Sequence, residues 1–200
     1  MAQTSSNLRL LQLAEEAAKC TRCRLSTGRT NVVFGMGNPN AKLMFVGEGP
    51  GEQEDIQGLP FVGRSGQLLD RLMLEEMGMT RDHCMVINVL KCRPPGNRDP
   101  LPDEIEACRP FLEAQLELID PKVVVTLGNF ATKTLLGTTE GISRLRGRTY
   151  RFRTGYLVPT FHPSAALRGG GEVVAQMRAD LVRAKEVLST ATSTRPRKEG

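Results

Sequence analysis

Four short, almost unbroken apolar runs, at residues 42–46, 85–90, 123–127 and 156–160, read as buried strands. Between them apolar residues recur at helical spacing over 66–77, 103–119 and 130–136, and a last helix is predicted from about 172 to 188. Residues 7–19 set leucines and alanines on one helical face and run directly into Cys20. Asp103 follows Pro102 where a helix cap is expected, and Pro121 separates that helix from the next strand. Strands apolar on both faces, alternating with helices, predict a three-layer α/β/α domain around a central four-stranded parallel sheet. One domain is expected over 1–188. The tail at 189–200 is small, polar and basic, and predicts a flexible segment.

Composition narrows the function classes. With 200 residues, 40% apolar and 24% charged, the chain is long enough for a real core, which excludes a disordered protein. No run approaches the roughly 18 apolar residues of a membrane span, and the start carries no secretory pattern, so a soluble, cytoplasmic protein with no membrane partner is expected. The net charge is +5, and about +3 once the tail is set aside, a weak pull towards polyanions.

In parallel sheets ligands bind at the carboxyl ends of the strands. Here those ends read Gly47-Glu48-Gly49-Pro50-Gly51, Lys91-Cys92-Arg93-Pro94-Pro95, Gly128-Asn129 and Phe161-His162-Pro163-Ser164. The glycine loop lacks the Lys-Ser/Thr of a phosphate-binding loop, and its acids Glu48, Glu52, Glu54 and Asp55 would repel a phosphate. A carboxylate there suits handling water or supporting a cationic sugar carbon, while one or two of the others are expected to be solvated. Cys20 and Cys23 form a C-x2-C pair, and Cys92 and Cys108 lie further on; four thiolates suit zinc or an iron-sulfur cluster, and spacing does not choose between them. Cys84 reads as a lone packed thiol, and simple burial is the bland alternative for Cys92 and Cys108. Five arginines between 144 and 153 are spaced like the edges of a hairpin around Gly147.

Taken in order, the glycine loop with Glu54-Asp55, the run Gly58-x-Pro60-Phe61-Val62-Gly63, the run Asn88-x-x-Lys91-Cys92-Arg93-Pro94-Pro95 with Asn97-Arg98, and His162-Pro163-Ser164 resemble the uracil-DNA glycosylase superfamily, and more narrowly its family 4 iron-sulfur branch. The resemblance spans roughly residues 10 to 185. It implies a monofunctional DNA repair hydrolase that flips deoxyuridine out of DNA and releases uracil, leaving an abasic site for downstream base excision repair proteins. It also implies a 4Fe-4S cluster on Cys20, Cys23, Cys92 and Cys108, with Cys84 outside it, and a monomer acting on uracil-containing DNA.

The same resemblance distributes roles. Phe61 supplies a face for the flipped base, and Asn88 pairs with N3–H and O4 of uracil, a match that cytosine does not make. His162 is a neutral donor to O2. Gly49 stands where the better-known branch has a water-activating Asp, which leaves Glu48 and Asn97 as candidates to orient water or support the cation. Gly51 stands where that branch has a Tyr, and Glu54 fills the space against C5. Arg93 and Arg98, with Lys91, border the pocket as DNA contacts, and in the turn 165–168 Ala166 aligns with the duplex wedge while Leu167 has the bulk. Two rival readings are a non-catalytic iron-sulfur or zinc DNA-binding or electron-transfer protein, and a nucleotide-phosphate hydrolase disfavoured by the missing lysine.

Overall fold

The computed structural model describes residues 2–193. Chain order is α1 (Ala2–Ala18), β1 (Met36–Gly37), β2 (Leu43–Gly47), α2 (Glu52–Gln57), α3 (Arg64–Leu72), β3 (Cys84–Asn88), α4 (Pro102–Ile119), β4 (Val123–Leu127), α5 (Asn129–Leu136), α6 (Ile142–Leu145), β5 (Tyr150–Phe152), β6 (Gly155–Thr160) and α7 (Pro163–Ser193). The sheet runs β1-β3-β2-β4-β6-β5. Its four central strands are parallel, as the apolar runs predicted, and the short edge strands β1 and β5 are antiparallel additions.

Alternating residues of each parallel strand feed opposite layers. Leu43, Phe45, Val86, Val125 and Val158 pack with Leu69 and Leu72 of α3 and Met177, Leu181 and Ala184 of α7. Met44, Val46, Ile87, Val124 and Leu157 pack on the other face with Leu10 of α1 and Leu112 and Leu116 of α4. The strands are buried along their length because both faces are covered. Among the described residues no helix is long and apolar enough to cross a membrane.

Several boundaries differ from the sequence reading, each for a local reason. The acidic loop contains α2, whose Glu52, Glu54 and Asp55 sit in the first turn, where the helix dipole favours negative charge. Leu101, not Asp103, is the N-cap of α4; Glu104 reaches back to accept from the Leu101 backbone N–H at 2.9 Å, and Asp103 pairs with Arg24. Helix α7 begins at Pro163, nine residues before the predicted start, because three glycines at 169–171 masked its first turns; Gly170 kinks it at φ 72°. It continues to Ser193, so the predicted tail is helical over 189–193, and the rest of that prediction lies outside the described residues. The β5–β6 hairpin turns at Arg153-Thr154, with Arg153 at φ 49°, rather than at Gly147.

Candidate active site and cysteine pocket

The chain runs from β2 to β3 on one side and returns to β4 on the other, so the strand order reverses at the carboxyl end of β2, where open sheets form a crevice. A cavity of about 570 Å³ opens there. Glu48, Gly49, Glu54, Phe61, Asn88, Asn97, Arg98 and His162 all line it; Arg93 and Leu167 stand outside its wall.

Gly47 and Asn88 are paired across β2 and β3, which sets the amide at the cavity floor. Asn88 is 1% exposed, and its Oδ1 is buried without a hydrogen-bond partner. Such an orphaned acceptor is costly, and a ligand N–H removes the cost. Phe61 leans over the same floor with its backbone at φ 54°, its ring centroid 5.8 Å from that of His162. This approach requires glycine at 47: a Cβ would lie 2.4 Å from Asn88 Oδ1 and 2.5 Å from Phe61 Cζ.

His162 follows β6, and Nδ1 accepts from the Ser164 backbone N–H at 3.2 Å and contacts the Ser164 hydroxyl at 2.8 Å. With Nδ1 an acceptor, the neutral ring carries its proton on Nε2. Burial, and then the positive charge of Arg168, push its pKa down to about 4, so the ring is a neutral donor at physiological pH.

Glu48 is held where the sheet opens, its carbonyl accepting from Leu90 N–H at 3.0 Å. Desolvation, and then the nearby Asp99, raise its carboxyl to about 7. Asn97 sits at φ 55° on the rim in the turn Pro95–Asn97, and its Oδ1 accepts from Arg93 Nε at 2.7 Å. Arg93 also lies 3.7 Å from Glu52. Arg98 forms a fork with the fully buried Glu104 at 2.9 and 2.5 Å. Both arginines predicted to meet DNA thus already face carboxylates.

Glu54 carries a structural load that its sequence position did not reveal. Its carboxylate accepts from the backbone N–H groups of Gly51 at 3.1 Å and of Val62 and Gly63 at 2.9 Å, tying the glycine loop to the Phe61 turn. The buried Asp55 accepts from Thr30 and Asn31, while Glu52 is the solvated acid. At the start of α7, Ala166 is 2% exposed and Leu167 is 43% exposed, which leaves Leu167 able to reach a partner.

The arginine-rich stretch is mostly engaged within the protein. Arg146 grips the buried Asp180 at 2.9 and 2.8 Å, Arg153 pairs with Glu113, and Arg151 lies 4.5 Å over Tyr156.

A second pocket collects Cys20 and Cys23 after α1, Cys92 after β3, and Cys108 on α4. Cys84 is buried elsewhere, against Met73. Three cations, Arg22, Arg29 and Lys91, line this pocket and no acid does. Arg29 donates to Cys92 Sγ and the Lys91 backbone N–H to Cys108 Sγ, both at 3.3 Å. Lys91 is 1% exposed and, among the described residues, forms no salt bridge; its Nζ donates to the Asn88 carbonyl at 2.5 Å. A buried ammonium without a carboxylate is expensive unless negative charge arrives by another route, and four thiolates would supply it. Among the described residues no three His, Cys, Asp or Glu groups converge closely enough to hold a single ion.

Residues 34–184 match the uracil DNA glycosylase superfamily. The chain belongs to that superfamily. It is 45% identical over 166 residues to the type-4 uracil-DNA glycosylase of Sulfurisphaera tokodaii, covering 79% of this chain and 76% of that protein. To the type-4 enzyme of Thermotoga maritima it is 45% identical over 179 residues, 88% and 93% of the two chains. To that of Saccharolobus solfataricus it is 43% identical over 190 residues, 91% and 88%. Ser164, named in the sequence only as part of the His162-Pro163-Ser164 motif, lines the cavity, and so do Asp99 and Arg168, to which no place in the pocket was given from sequence; their nearness to Arg98 and His162 along the chain was the one signal.

Proposed function

We propose that the chain is a monofunctional uracil-DNA glycosylase that hydrolyses the N-glycosidic bond of deoxyuridine in DNA, the first step of base excision repair. The observation that carries the reading is a single cavity shared by Phe61, Asn88 and His162, with an unpartnered Asn88 Oδ1 at its floor.

The everted base stacks on Phe61 and offers N3–H to Asn88 Oδ1 and O4 to the Asn88 amide. Cytosine has no proton on N3 and a donor in place of O4, so the same amide repels it. As the C1′–N1 bond breaks, its electron pair passes to uracil, and charge on O2 is met by the His162 Nε2–H. A neutral imidazole suits this task because it donates without itself losing a charge. Glu48, ionised above about pH 7, holds the water that adds to C1′, takes the proton that this water loses as the C–O bond forms and later releases it to solvent, and faces the cationic sugar; Asn97 on the rim assists. Uracil leaves as the anion and is protonated by solvent. Gly49 keeps the water side of the cavity open, and Glu54 acts beside C5 through the loop it braces.

On DNA, Leu167 fills the gap left by the flipped base. Arg93 and Arg98, charge-matched by Glu52 and Glu104, shape the 94–97 loop against the DNA strand more than they attract phosphate.

A 4Fe-4S cluster on Cys20, Cys23, Cys92 and Cys108 agrees with the all-sulfur donor set and its basic surroundings. When bound it supplies a cross-link between the end of α1, the loop after β3 and α4. The domain extends over 1–188, and the protein acts as a soluble monomer that passes abasic sites to later repair enzymes.

The test is uracil release from U:G and U:A duplexes by the purified protein, with T:A as control. Release from the first two alone is expected, and His162→Ala or Asn88→Ala is expected to lower the single-turnover rate at least about a hundredfold with DNA binding retained. A metal-loaded protein that binds DNA but releases no uracil overturns the reading in favour of a non-catalytic DNA-binding protein.

A further inference from the structure

Beside the uracil cavity lies a second surface depression of about 290 Å³, bounded by Arg64, Gln67, Leu68 and Arg71 of α3 and by Leu167 of α7. The two depressions share a wall. Ser65 and Arg168 face the uracil cavity, and their chain neighbours Arg64 and Leu167 face the groove. The ridge between them carries the exposed leucine assigned above as the wedge.

The groove is positive because the nearby acids are already occupied. Asp70 pairs with Arg81 at 2.7 Å, and Glu75 and Glu76 pair with Arg178. Arg64 and Arg71 are both exposed and, among the described residues, have no carboxylate partner. Seven residues apart on one helix, they lie on nearly the same face and about 10.5 Å apart along its axis.

We propose that this groove holds the phosphate backbone of the strand opposite the uracil. The inference rests on the uracil-excision reading. The damaged strand delivers its nucleotide to the cavity on one side of the ridge, and Leu167 enters the stack from the ridge. What remains of the duplex beyond the wedge is the complementary strand, and the surface awaiting it carries two unneutralised guanidinium groups and an amide. Arg64 and Arg71 then contribute to binding a duplex and contribute little to binding a single strand.

The test is fluorescence anisotropy across a KCl series, with a labelled oligonucleotide carrying a stable abasic-site analogue, either single-stranded or paired with its complement. Wild type is compared with the Arg64→Ala, Arg71→Ala double variant, both positions being exposed and outside the reaction chemistry. Duplex affinity is expected to fall about tenfold or more, and the slope of log K against log salt to decrease by about two, while single-strand affinity stays within about twofold. An equal loss on both forms, or no loss on the duplex, overturns the proposal. Uracil release by the wild type is measured separately, so failure of that activity is distinguishable from failure of the groove.

Discussion

Glu48 gives the sharpest quantitative test of the chemistry. Its carboxyl is raised from 4.5 to about 7, first by burial and then by repulsion from Asp99. If the ionised form orients water and faces the sugar cation, the chemical step follows the carboxylate fraction. That fraction rises from about 0.09 at pH 6 to about 0.9 at pH 8, a rate increase of about tenfold. The sign follows from the charge: an acid with a raised pKa is protonated, and idle, at the lower pH. His162, at about 4, is neutral over this whole range and adds no limb of its own. Single-turnover excision under saturating enzyme, from pH 5.5 to 9, is expected to give one rising limb centred near 7. Glu48→Gln is expected to abolish the limb along with most of the rate. Asp99→Asn is expected to move its midpoint down but not to 4.5, because burial is the larger cause. A limb that survives unchanged in Glu48→Gln, or a rate that falls as pH rises through 7, refutes the assignment.

Other consequences follow from packing and charge. Gly47→Ala drives a methyl into Asn88 and Phe61, so uracil excision is expected to fall steeply while unfolding by denaturant registers a loss of about 1–3 kcal/mol. Lys91→Met removes the buried positive charge beside the thiols; iron content per chain and visible absorbance are expected to drop in the purified protein, and a fully loaded variant would contradict that role. Asp180→Ala leaves Arg146, 17% exposed, without its counter-charge, and a stability loss of about 3–5 kcal/mol is expected by denaturant titration with catalysis at saturating DNA little changed.

The pattern of apolar residues was enough to specify the four parallel strands, with β4 at its observed limits, because a strand covered on both faces is apolar along most of its length, with Thr126 the buried polar exception in β4. The strand-end motifs were equally legible, since a parallel sheet brings successive carboxyl ends to one rim whatever the helices between them do. Asn88 and His162 meet there for that reason, and Phe61 joins them from the turn before α3 that Glu54 ties to the glycine loop. The edge strands β1 and β5 were not legible, being two and three residues long and half exposed, with no period to read.

Only the tertiary structure decided how the polar side chains spend their charge. Arg98 reads in sequence as a free cation beside a pocket, yet Glu104, six residues on, is fully buried against it. Glu54 and Asp55 read as neighbouring loop acids, yet each gathers backbone N–H groups from segments the sequence does not mark as near: Val62 and Gly63 in one case, Thr30 and Asn31 in the other. Lys91 reads in sequence as a DNA contact on the border of the uracil pocket, yet it is absent from that cavity's lining and is buried between Asn88 and the cysteines. Periodicity is a property of consecutive residues and survives in the sequence. Charge pairing, burial of a single lysine and the pKa of Glu48 depend on which distant groups share a few ångströms, and that is fixed only when the layers close.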